Sequence, residues 1–200
     1  MPNWCYNQTI FYGDKEKLKN IYNNIHNQIE EKPWVHIDLF LKELGCSEED
    51  LTKKYPARAF IDGIKLLGGG ELELQYESAW NPINEVLDEI LEEYQPQIKE
   101  VTLAEECGNG VFINTDFDGK YYPEKYYLDL SITGENPKRK EDYNDIKYHN
   151  DLESVANELK TFFKFYNFKN EKMETEEEIR KAIRKLEDYD DVYITFESFF

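Results

Sequence analysis

The chain has 200 residues, of which 40% are hydrophobic, and its formal net charge at pH 7 is -18. This size provides for one large domain, or for a domain of about 100 residues with a smaller appendage. Because binding to phosphates requires a basic surface, the acidic balance disfavours direct binding to nucleic acid or to an anionic membrane.

The first predicted elements are a strand and a helix. Residues 4–12 are rich in aromatic and β-branched side chains and end at the turn-forming pair Gly13-Asp14, which predicts a strand. Asp14 can cap the helix that follows, because its carboxylate can accept hydrogen bonds from the first backbone amides. Apolar residues then recur at helical spacing, at Leu18, Ile21, Ile25 and Ile29. Pro33 forbids continuation of this helix.

The next segment predicts a helical insertion followed by a hairpin. Residues 34–56 contain two short helical patterns, which we interpret as an insertion. Residues 58–66 and 71–78 then flank three successive glycines, an arrangement typical of two strands joined by a tight turn. In the second strand, leucine and tyrosine alternate with glutamate and glutamine, so one face is expected to be buried and the other acidic.

A helix and a further strand follow the hairpin. Asn81 and Pro82 open the helix. Its apolar stripe consists of Ile83, Val86, Leu87, Ile90, Leu91 and Tyr94. Residues 98–104 predict the strand. The order is therefore β-α-β-β-α-β, the unit of ferredoxin-like folds, in which two helices cover one face of a four-stranded antiparallel sheet. The predicted fold class is α+β.

Further strands and two helices complete the chain. Residues 111–117 and 126–132 are strand candidates, and residues 134–147 are polar and predict an exposed connection. Two amphipathic helices follow, and the second begins with a capping box at Thr175. A final strand at 192–196 alternates apolar and polar side chains.

These elements divide the chain into two predicted domains. Residues 1–132 form a ferredoxin-like domain with added strands, and the helical insertion at 34–56 belongs to it. Residues 133–200 form a C-terminal α/β extension, which is mainly helical and has a final strand.

Several short motifs resemble those of a known family. In chain order they are Met1-Pro2-Asn3-Trp4-Cys5-Tyr6-Asn7, Ala57-Arg58-Ala59-Phe60, Glu77-Ser78-Ala79-Trp80-Asn81-Pro82, Glu105-Glu106-Cys107-Gly108 and Gly119-Lys120-Tyr121-Tyr122-Pro123-Glu124. Across about residues 1–132 this pattern resembles the YubB-like family, whose ferredoxin-like domain occurs in proteins of plasmids, phages and other mobile elements. The resemblance implies a ferredoxin-like domain and an accessory role for a mobile element. It implies no catalytic residue and no cofactor.

Rows of carboxylates form the candidate partner-binding surface. They lie on the second hairpin strand and on the helix that follows, at Glu71, Glu73, Glu77, Glu85, Asp88, Glu89, Glu92 and Glu93. Strand neighbours on one face lie about 6.6 Å apart and helix positions four apart lie about 6 Å apart, so such rows present regular negative charge. A basic groove built for phosphates could bind this surface, although acidic faces also serve simply to keep proteins soluble.

A cleft around residues 105–132 is the alternative site. Its members would be Trp80, Glu105, Glu106, Asp116, Asp118 and Tyr122. Glu105 and Glu106 are adjacent on a predicted strand, so their side chains point to opposite faces and cannot share a proton as a catalytic pair. The loop from Asn114 resembles a calcium loop, but Lys125 stands where a bidentate glutamate is needed, so no metal site is expected.

Cysteine usage and hydropathy predict the cellular compartment. Cys5, Cys46 and Cys107 are widely spaced and lack a nearby histidine, so we expect reduced, mostly buried thiols. No stretch approaches the roughly 18 apolar residues that span a bilayer, and the N-terminus lacks the basic start and apolar run of a signal peptide. We therefore expect a soluble, cytoplasmic protein without a cofactor.

Three functions remain open on the sequence. The first is a non-catalytic acidic binding protein of a mobile element that engages a basic surface of a host or self protein, for example as an inhibitor of a host nucleic-acid-directed defence enzyme. The second is a small-ligand binder or enzyme that uses the cleft around residues 105–132. The third is a structural oligomer. Because no catalytic constellation is visible in the sequence, the first is the leading hypothesis.

Overall fold

The chain folds into two compact units, Met1–Tyr122 (unit 1) and Pro123–Phe200 (unit 2). The computed structural model describes residues 3–32, 34–106, 108, 110–132, 143–163, 172–186 and 192–199. Both units combine helices with an antiparallel sheet, so the predicted α+β class is confirmed. The division falls after Tyr122 instead of after residue 132, because residues 126–132 pair with strands of unit 2.

Unit 1 contains strands and helices that alternate along the chain. The strands are β1 (Trp4–Gly13), β2 (Val35–His36), β3 (Ala59–Leu66), β4 (Leu72–Ala79), β5 (Ile98–Glu106) and β6 (Val111–Asn114). The helices are α1 (Lys15–Glu31), α2 (Asp38–Leu44) and α3 (Asn84–Tyr94), with a π-helical turn at Asp50–Lys54. The predicted helical insertion at 34–56 therefore holds the short strand β2 as well as α2 and the π-helical turn.

One antiparallel sheet, sheet A, organises unit 1. Its strand order is β2-β3-β4-β1-β5-β6. The four inner strands, with α1 after β1 and α3 after β4, follow one another along the chain as β-α-β-β-α-β. The edge strands β2 and β6 widen the sheet to six strands, beyond the four of the predicted unit. Of the two added strand candidates, the first corresponds to β6 and the second, residues 126–132, lies in unit 2.

The core of unit 1 lies between sheet A and its helices. Strand β4 alternates as predicted, with Leu72, Leu74 and Tyr76 fully buried and the intervening Glu73 and Gln75 partly exposed. Helix α1 begins where the Asp14 carboxylate accepts a hydrogen bond from the Lys17 backbone amide at 3.0 Å. Its apolar stripe belongs to the same core cluster as the buried side of β4. Burying each aliphatic side chain contributes about 1.5–3 kcal/mol, which holds the helices on one side of the sheet.

Unit 2 is built on a second antiparallel sheet, sheet B, with strand order β8-β7-β9. Its described elements are β7 (Tyr126–Ile132), β8 (Tyr143–His149), α4 (Leu152–Phe163), α5 (Glu176–Leu186) and β9 (Val192–Ser198). The two expected helices and the final strand are present. The expectation of an exposed connection at 134–147 is wrong for residues 143–147, which form part of β8, and residues 133–142 lie outside the described residues. Backbone pairing with β7 allows an edge strand to keep polar side chains.

The helices of unit 2 pack on sheet B through a separate core. Leu128 and Leu130 of β7 cluster with the apolar side chains of α4, α5 and β9. At the start of α5, the Glu178 backbone amide donates to Thr175 Oγ1 at 3.2 Å, as the capping box requires, and Glu178 Oε2 accepts from the Glu174 amide at 2.9 Å. Among the described residues of both units, no helix is long and apolar enough to cross a membrane.

Gly13 ends β1 with a backbone φ of 125°, which residues with a Cβ rarely adopt. A Cβ at this position would also overlap the backbone carbonyl of Gln97. We therefore expect Gly13→Ala to lower the free energy of unfolding by about 2 kcal/mol or more in urea denaturation. Gly68→Ala is the matched control, because a Cβ there meets nothing within 4 Å. Equal effects of the two substitutions would contradict this explanation.

Candidate functional site

The side of sheet A that faces away from α1 and α3 carries the polar candidate residues. Side chains alternate between the two faces along each strand. On β4, Leu72 and Tyr76 point into the core shared with the helices, so Glu73 and Glu77 point away from it. We call this second side of the sheet the open face.

One row of directly paired residues crosses the open face. Phe60 of β3 lies opposite Glu77 of β4, which lies opposite Tyr6 of β1. Tyr6 in turn lies opposite Glu105 of β5. Such paired side chains have Cβ atoms about 4.5–5.5 Å apart. Aromatic rings and carboxylates therefore alternate across neighbouring strands, and we call Phe60, Glu77, Tyr6 and Glu105 the transverse row.

Negative charge accumulates around Tyr6, whose side chain is 39% exposed. Burial raises the pKa of the Tyr6 phenol, and the nearby carboxylates of Asp62, Glu73 and Glu105 raise it further. The pKa of Asp62 is also raised, first by burial and then by the charge of Glu77. These groups disfavour additional negative charge, and a cation placed among them would be stabilised.

An aromatic cluster adjoins the transverse row at the edge of the sheet formed by β2 and β3. The ring of Phe60 lies 5.6 Å from that of Trp4, 5.9 Å from that of Trp34 and 5.4 Å from that of His36. We call these four residues the aromatic corner. Trp34 is 61% exposed. Trp4 and Phe60 are partly exposed. A cluster of exposed and partly exposed aromatic rings of this kind is typical of an interaction site.

Two exposed tryptophans adopt a backbone conformation that favours glycine. The backbone φ is 63° at Trp34 and 72° at Trp80. A left-handed conformation costs a non-glycine residue roughly 1–2 kcal/mol. Trp80, which the sequence placed in the alternative cleft, is 47% exposed, and its backbone amide donates to the Asn3 carbonyl at 2.9 Å beside the start of β1. The fold therefore maintains strain at two large side chains that remain exposed, which is common at functional surfaces.

The predicted acidic residues do not share one surface. Glu73 and Glu77 belong to the open side of β4 and Glu71 directly precedes the strand, whereas α3 packs on the opposite side of sheet A. The separated residues of α3 are Glu85, Asp88, Glu89, Glu92 and Glu93. Glu93 is occupied by an ion pair with Lys54. Burial raises the pKa of Asp88, and Glu92 adds to this effect. The open face thus retains only the β4 carboxylates of the predicted set.

Asp116 and Tyr122, two polar residues of the alternative cleft, hold the loop that follows β6. Asp116 Oδ2 accepts hydrogen bonds from the backbone amides of Tyr121 at 2.5 Å and Tyr122 at 2.9 Å. Tyr122 Oη donates to the Gln8 carbonyl at 2.9 Å, which ties this loop to β1. Asp118 is exposed to solvent. These contacts give Asp116 and Tyr122 a structural role in the fold.

The two adjacent glutamates of β5 lie on opposite faces, as predicted. Glu105 belongs to the transverse row, while Glu106 is buried and accepts a hydrogen bond from the Gly108 amide at 2.9 Å. Glu106 therefore stabilises a turn. In the rejected calcium loop, Asn114 Oδ1 accepts from the Asp116 amide at 2.9 Å. Across the described ranges, no group of three or more His, Cys, Asp or Glu side chains is arranged to hold a metal ion.

A buried polar chain on the helix side of sheet A was not predicted. Thr102 Oγ1 donates to Glu100 Oε2 at 2.7 Å and lies 2.7 Å from Thr9 Oγ1. Thr9 Oγ1 lies 3.4 Å from Tyr76 Oη. Burial raises the pKa of Glu100 to about 7, because the hydrogen bond from Thr102 only partly offsets desolvation and Asp88 raises the pKa further. The sequence signal was weak, since a threonine in a strand looks the same whether it faces water or the core.

The described cysteines do not form a reactive site. Cys5 and Cys46 are buried. Burial raises the pKa of the Cys46 thiol to about 11, with smaller contributions from the carboxylates of Asp50 and Glu93. The nucleophile is the thiolate, so such a thiol is unreactive at neutral pH. Cys107, the third cysteine of the sequence, lies outside the described residues.

Comparisons with known proteins do not assign the chain to a family. No protein-family model matches, and comparison with curated proteins and with solved structures finds no match. The functional proposal therefore rests on the geometry of the open face. There, aromatic rings and carboxylates are the side chains that recognise cations.

Glu100→Gln should remove a pH dependence of stability. The folded-state pKa of about 7 lies above the ordinary value for glutamate, so the buried acid destabilises the fold increasingly as pH rises from about 4.5 to 7. A shift of this size corresponds to about 3 kcal/mol. We expect the variant to match the parent at pH 4 and to exceed it by up to that amount at pH 8 in urea denaturation.

Glu85→Gln is the matched control, because Glu85 is an exposed glutamate of α3. Its effect on the free energy of unfolding should stay small at both pH values. If the free energy of unfolding had the same pH dependence in Glu100→Gln and Glu85→Gln, the acid with the raised pKa would not be Glu100.

Proposed function

We propose that the protein is a non-catalytic binding protein that engages a basic surface of a partner protein through the open face of sheet A. The observation that carries this proposal is the transverse row, in which Tyr6 lies between Glu77 and Glu105. Beside it, the aromatic corner adds exposed rings around Phe60. The partner's contribution would be arginine and lysine side chains.

The chemistry of the row suits arginine better than lysine. A guanidinium is planar, stacks on aromatic rings and forms paired hydrogen bonds with a carboxylate. Tyr6 offers a half-exposed ring, and the carboxylate of Glu77 makes no hydrogen bond or ion pair with the described residues. A cation over an aromatic ring contributes about 0.5–2 kcal/mol, depending on desolvation. Several such contacts across one sheet face would give a specific interface.

The family resemblance provides the biological context of the proposed interaction. We propose that unit 1 is a ferredoxin-like domain of the YubB-like family. What supports this is the inner strand order β3-β4-β1-β5 with α1 and α3 on one side of the sheet. Proteins of that family occur in plasmids, phages and other mobile elements. A host nucleic-acid-directed defence enzyme is a suitable partner, because its phosphate-binding groove is basic.

The two other functions have less support in the geometry. In the proposed cleft, Asp116 and Tyr122 are used by the loop after β6, and Glu105 and Glu106 point to opposite sides of β5. An enzyme would require such groups to converge on one reacting atom. A structural oligomer needs a large apolar interface. On the open face, Tyr122 covers the apolar side chains of Ile10 and Val101, and the exposed part combines aromatic and charged side chains.

The double variant Glu73→Gln/Glu77→Gln tests the open face. The probe is a fluorescein-labelled arginine-rich heptapeptide, and its binding is measured by fluorescence anisotropy at low and moderate salt. We expect the Kd to rise about tenfold or more, which corresponds to the loss of two close charge contacts. Glu85→Gln/Glu89→Gln on α3 removes the same charge from the other side of the sheet and should change the Kd less than about twofold. Equal weakening would show that net charge alone attracts the peptide.

Tyr6→Ser tests the aromatic part of the site without a change of charge. Because Tyr6 lies between Glu77 and Glu105, removal of its ring should weaken binding of the arginine peptide more than binding of a lysine peptide of equal charge. Equal weakening of both peptides would contradict a stacking role.

A pull-down from host lysate tests the function itself. The parent protein should recover a basic partner that Glu73→Gln/Glu77→Gln does not recover. Failure to recover a partner at both low and moderate salt would count heavily against the proposal. Stabilisation by nucleotides or divalent ions in a thermal-shift screen would favour the small-ligand alternative, and a large mass by light scattering would favour the oligomer.

A further inference from the structure

A groove in unit 2 lies between helix α5 and strand β9. Its volume is about 290 Å³. The residues that line it are Arg180, Ile183, Arg184, Ile194, Thr195, Phe196 and Glu197. Ile183, Ile194 and Phe196 are buried, so apolar side chains form its floor. Two arginines one helical turn apart stand above that floor, in a chain whose formal net charge is -18.

The groove follows an edge of sheet B. The strand order β8-β7-β9 leaves the second side of β9 unpaired among the strands that the structure describes. The Phe196 carbonyl accepts a hydrogen bond from Arg180 Nη1 at 2.9 Å, so it points into the groove and away from β7. The backbone groups of alternate residues share one side of a strand, which directs the amide and carbonyl of Ile194 to the groove as well. At Ile194 this strand edge can pair with an extended peptide, whereas the Phe196 carbonyl is already bound by Arg180.

The charges of the groove favour an acidic occupant. Arg180 lies 3.3 Å from Glu197 Oε2 and 4.9 Å from the centre of the Phe196 ring. Arg184 forms no ion pair with the residues that the structure describes, and it is exposed. Among the described residues, one guanidinium is thus held in place by the fold, and the other has no ion-pair partner.

We propose that this groove binds an extended acidic peptide segment of another protein, which adds a strand to β9. Alternate side chains of a strand lie about 6.6 Å apart, and helix positions four apart lie about 6 Å apart. Carboxylates two residues apart in the peptide therefore match the spacing of Arg180 and Arg184. The first carboxylate competes with Glu197 for Arg180, and the second pairs with Arg184. The intervening side chains point to the other face of sheet B, away from α5.

This site is independent of the open face of sheet A. It lies in the other unit and selects ligands of the opposite charge, so its partner cannot be the basic partner proposed above. Loss of binding at one site leaves the other testable, because arginine-rich and glutamate-rich peptides report on them separately.

The test uses the full chain and a fluorescein-labelled heptapeptide of alternating valine and glutamate, with fluorescence anisotropy as the readout. We expect this peptide to bind and a valine-lysine peptide to show no binding that depends on Arg184. Arg184→Glu should raise the Kd at least about tenfold, and Arg184→Gln should raise it by less. Lys181→Glu is the matched control, because Lys181 is an exposed residue of α5 that does not line the groove. Its Kd should stay within about twofold of the parent value.

Backbone pairing is tested on the peptide. The same heptapeptide with N-methylated valines keeps every carboxylate but cannot donate its alternate amides to a strand edge, and we expect it to lose binding at least about tenfold. Equal binding of the methylated peptide would overturn strand addition. Equal weakening by Lys181→Glu and Arg184→Glu would overturn the groove as the site. Absence of binding to the folded parent at low salt, or self-association through β9 that excludes the peptide, would overturn the proposal.

Discussion

The pairing of β1 with both β4 and β5 is the constraint on which unit 1 depends. Its register places the buried ring of Phe11 opposite Leu72 on the helix side of sheet A. A shift of one residue would exchange the two faces of the strand. Tyr6 would then enter the core, while the buried polar side chains of Asn7 and Thr9 would turn outward. Apolar packing under the helices therefore determines which residues the open face presents.

This register also explains why negative charge stays concentrated on the open face. Glu77 and Glu105 flank an uncharged tyrosine, and Glu73 lies on the same side of β4. In unit 2 the arginines Arg180 and Arg184 line the groove beside β9, so the local charge that they contribute is positive. The net charge of -18 for the whole chain therefore does not give the local charge of either surface. Local arrangement, more than composition, defines what each surface can attract.

The sequence patterns predicted the structure well for helices and strands that have one uniformly apolar face. Strand β4 and helix α1 were recognised because their apolar residues repeat at periods of 2 and 3.6. Strand β8 was missed, because an edge strand can be held by backbone pairing while its side chains remain polar. Glu100 was missed for a related reason. Polar residues that satisfy one another inside a core, such as Thr9 and Thr102, do not differ in sequence from polar residues in water.

By itself the sequence determined the α+β class, the chain order of the inner elements of unit 1 and the buried side of β4. Only the tertiary structure decided which acidic residues share a surface. Strand β4 and helix α3 are neighbours in the chain, yet the helix covers one side of sheet A and the glutamates of β4 face the other. Tyr6, Glu77 and Glu105 are far apart in sequence and meet because β1 pairs with two strands. The periodicity of apolar residues predicts which side of a helix or strand is buried. Which residue lies opposite on the neighbouring strand depends on the strand register, and packing of the whole core determines that register.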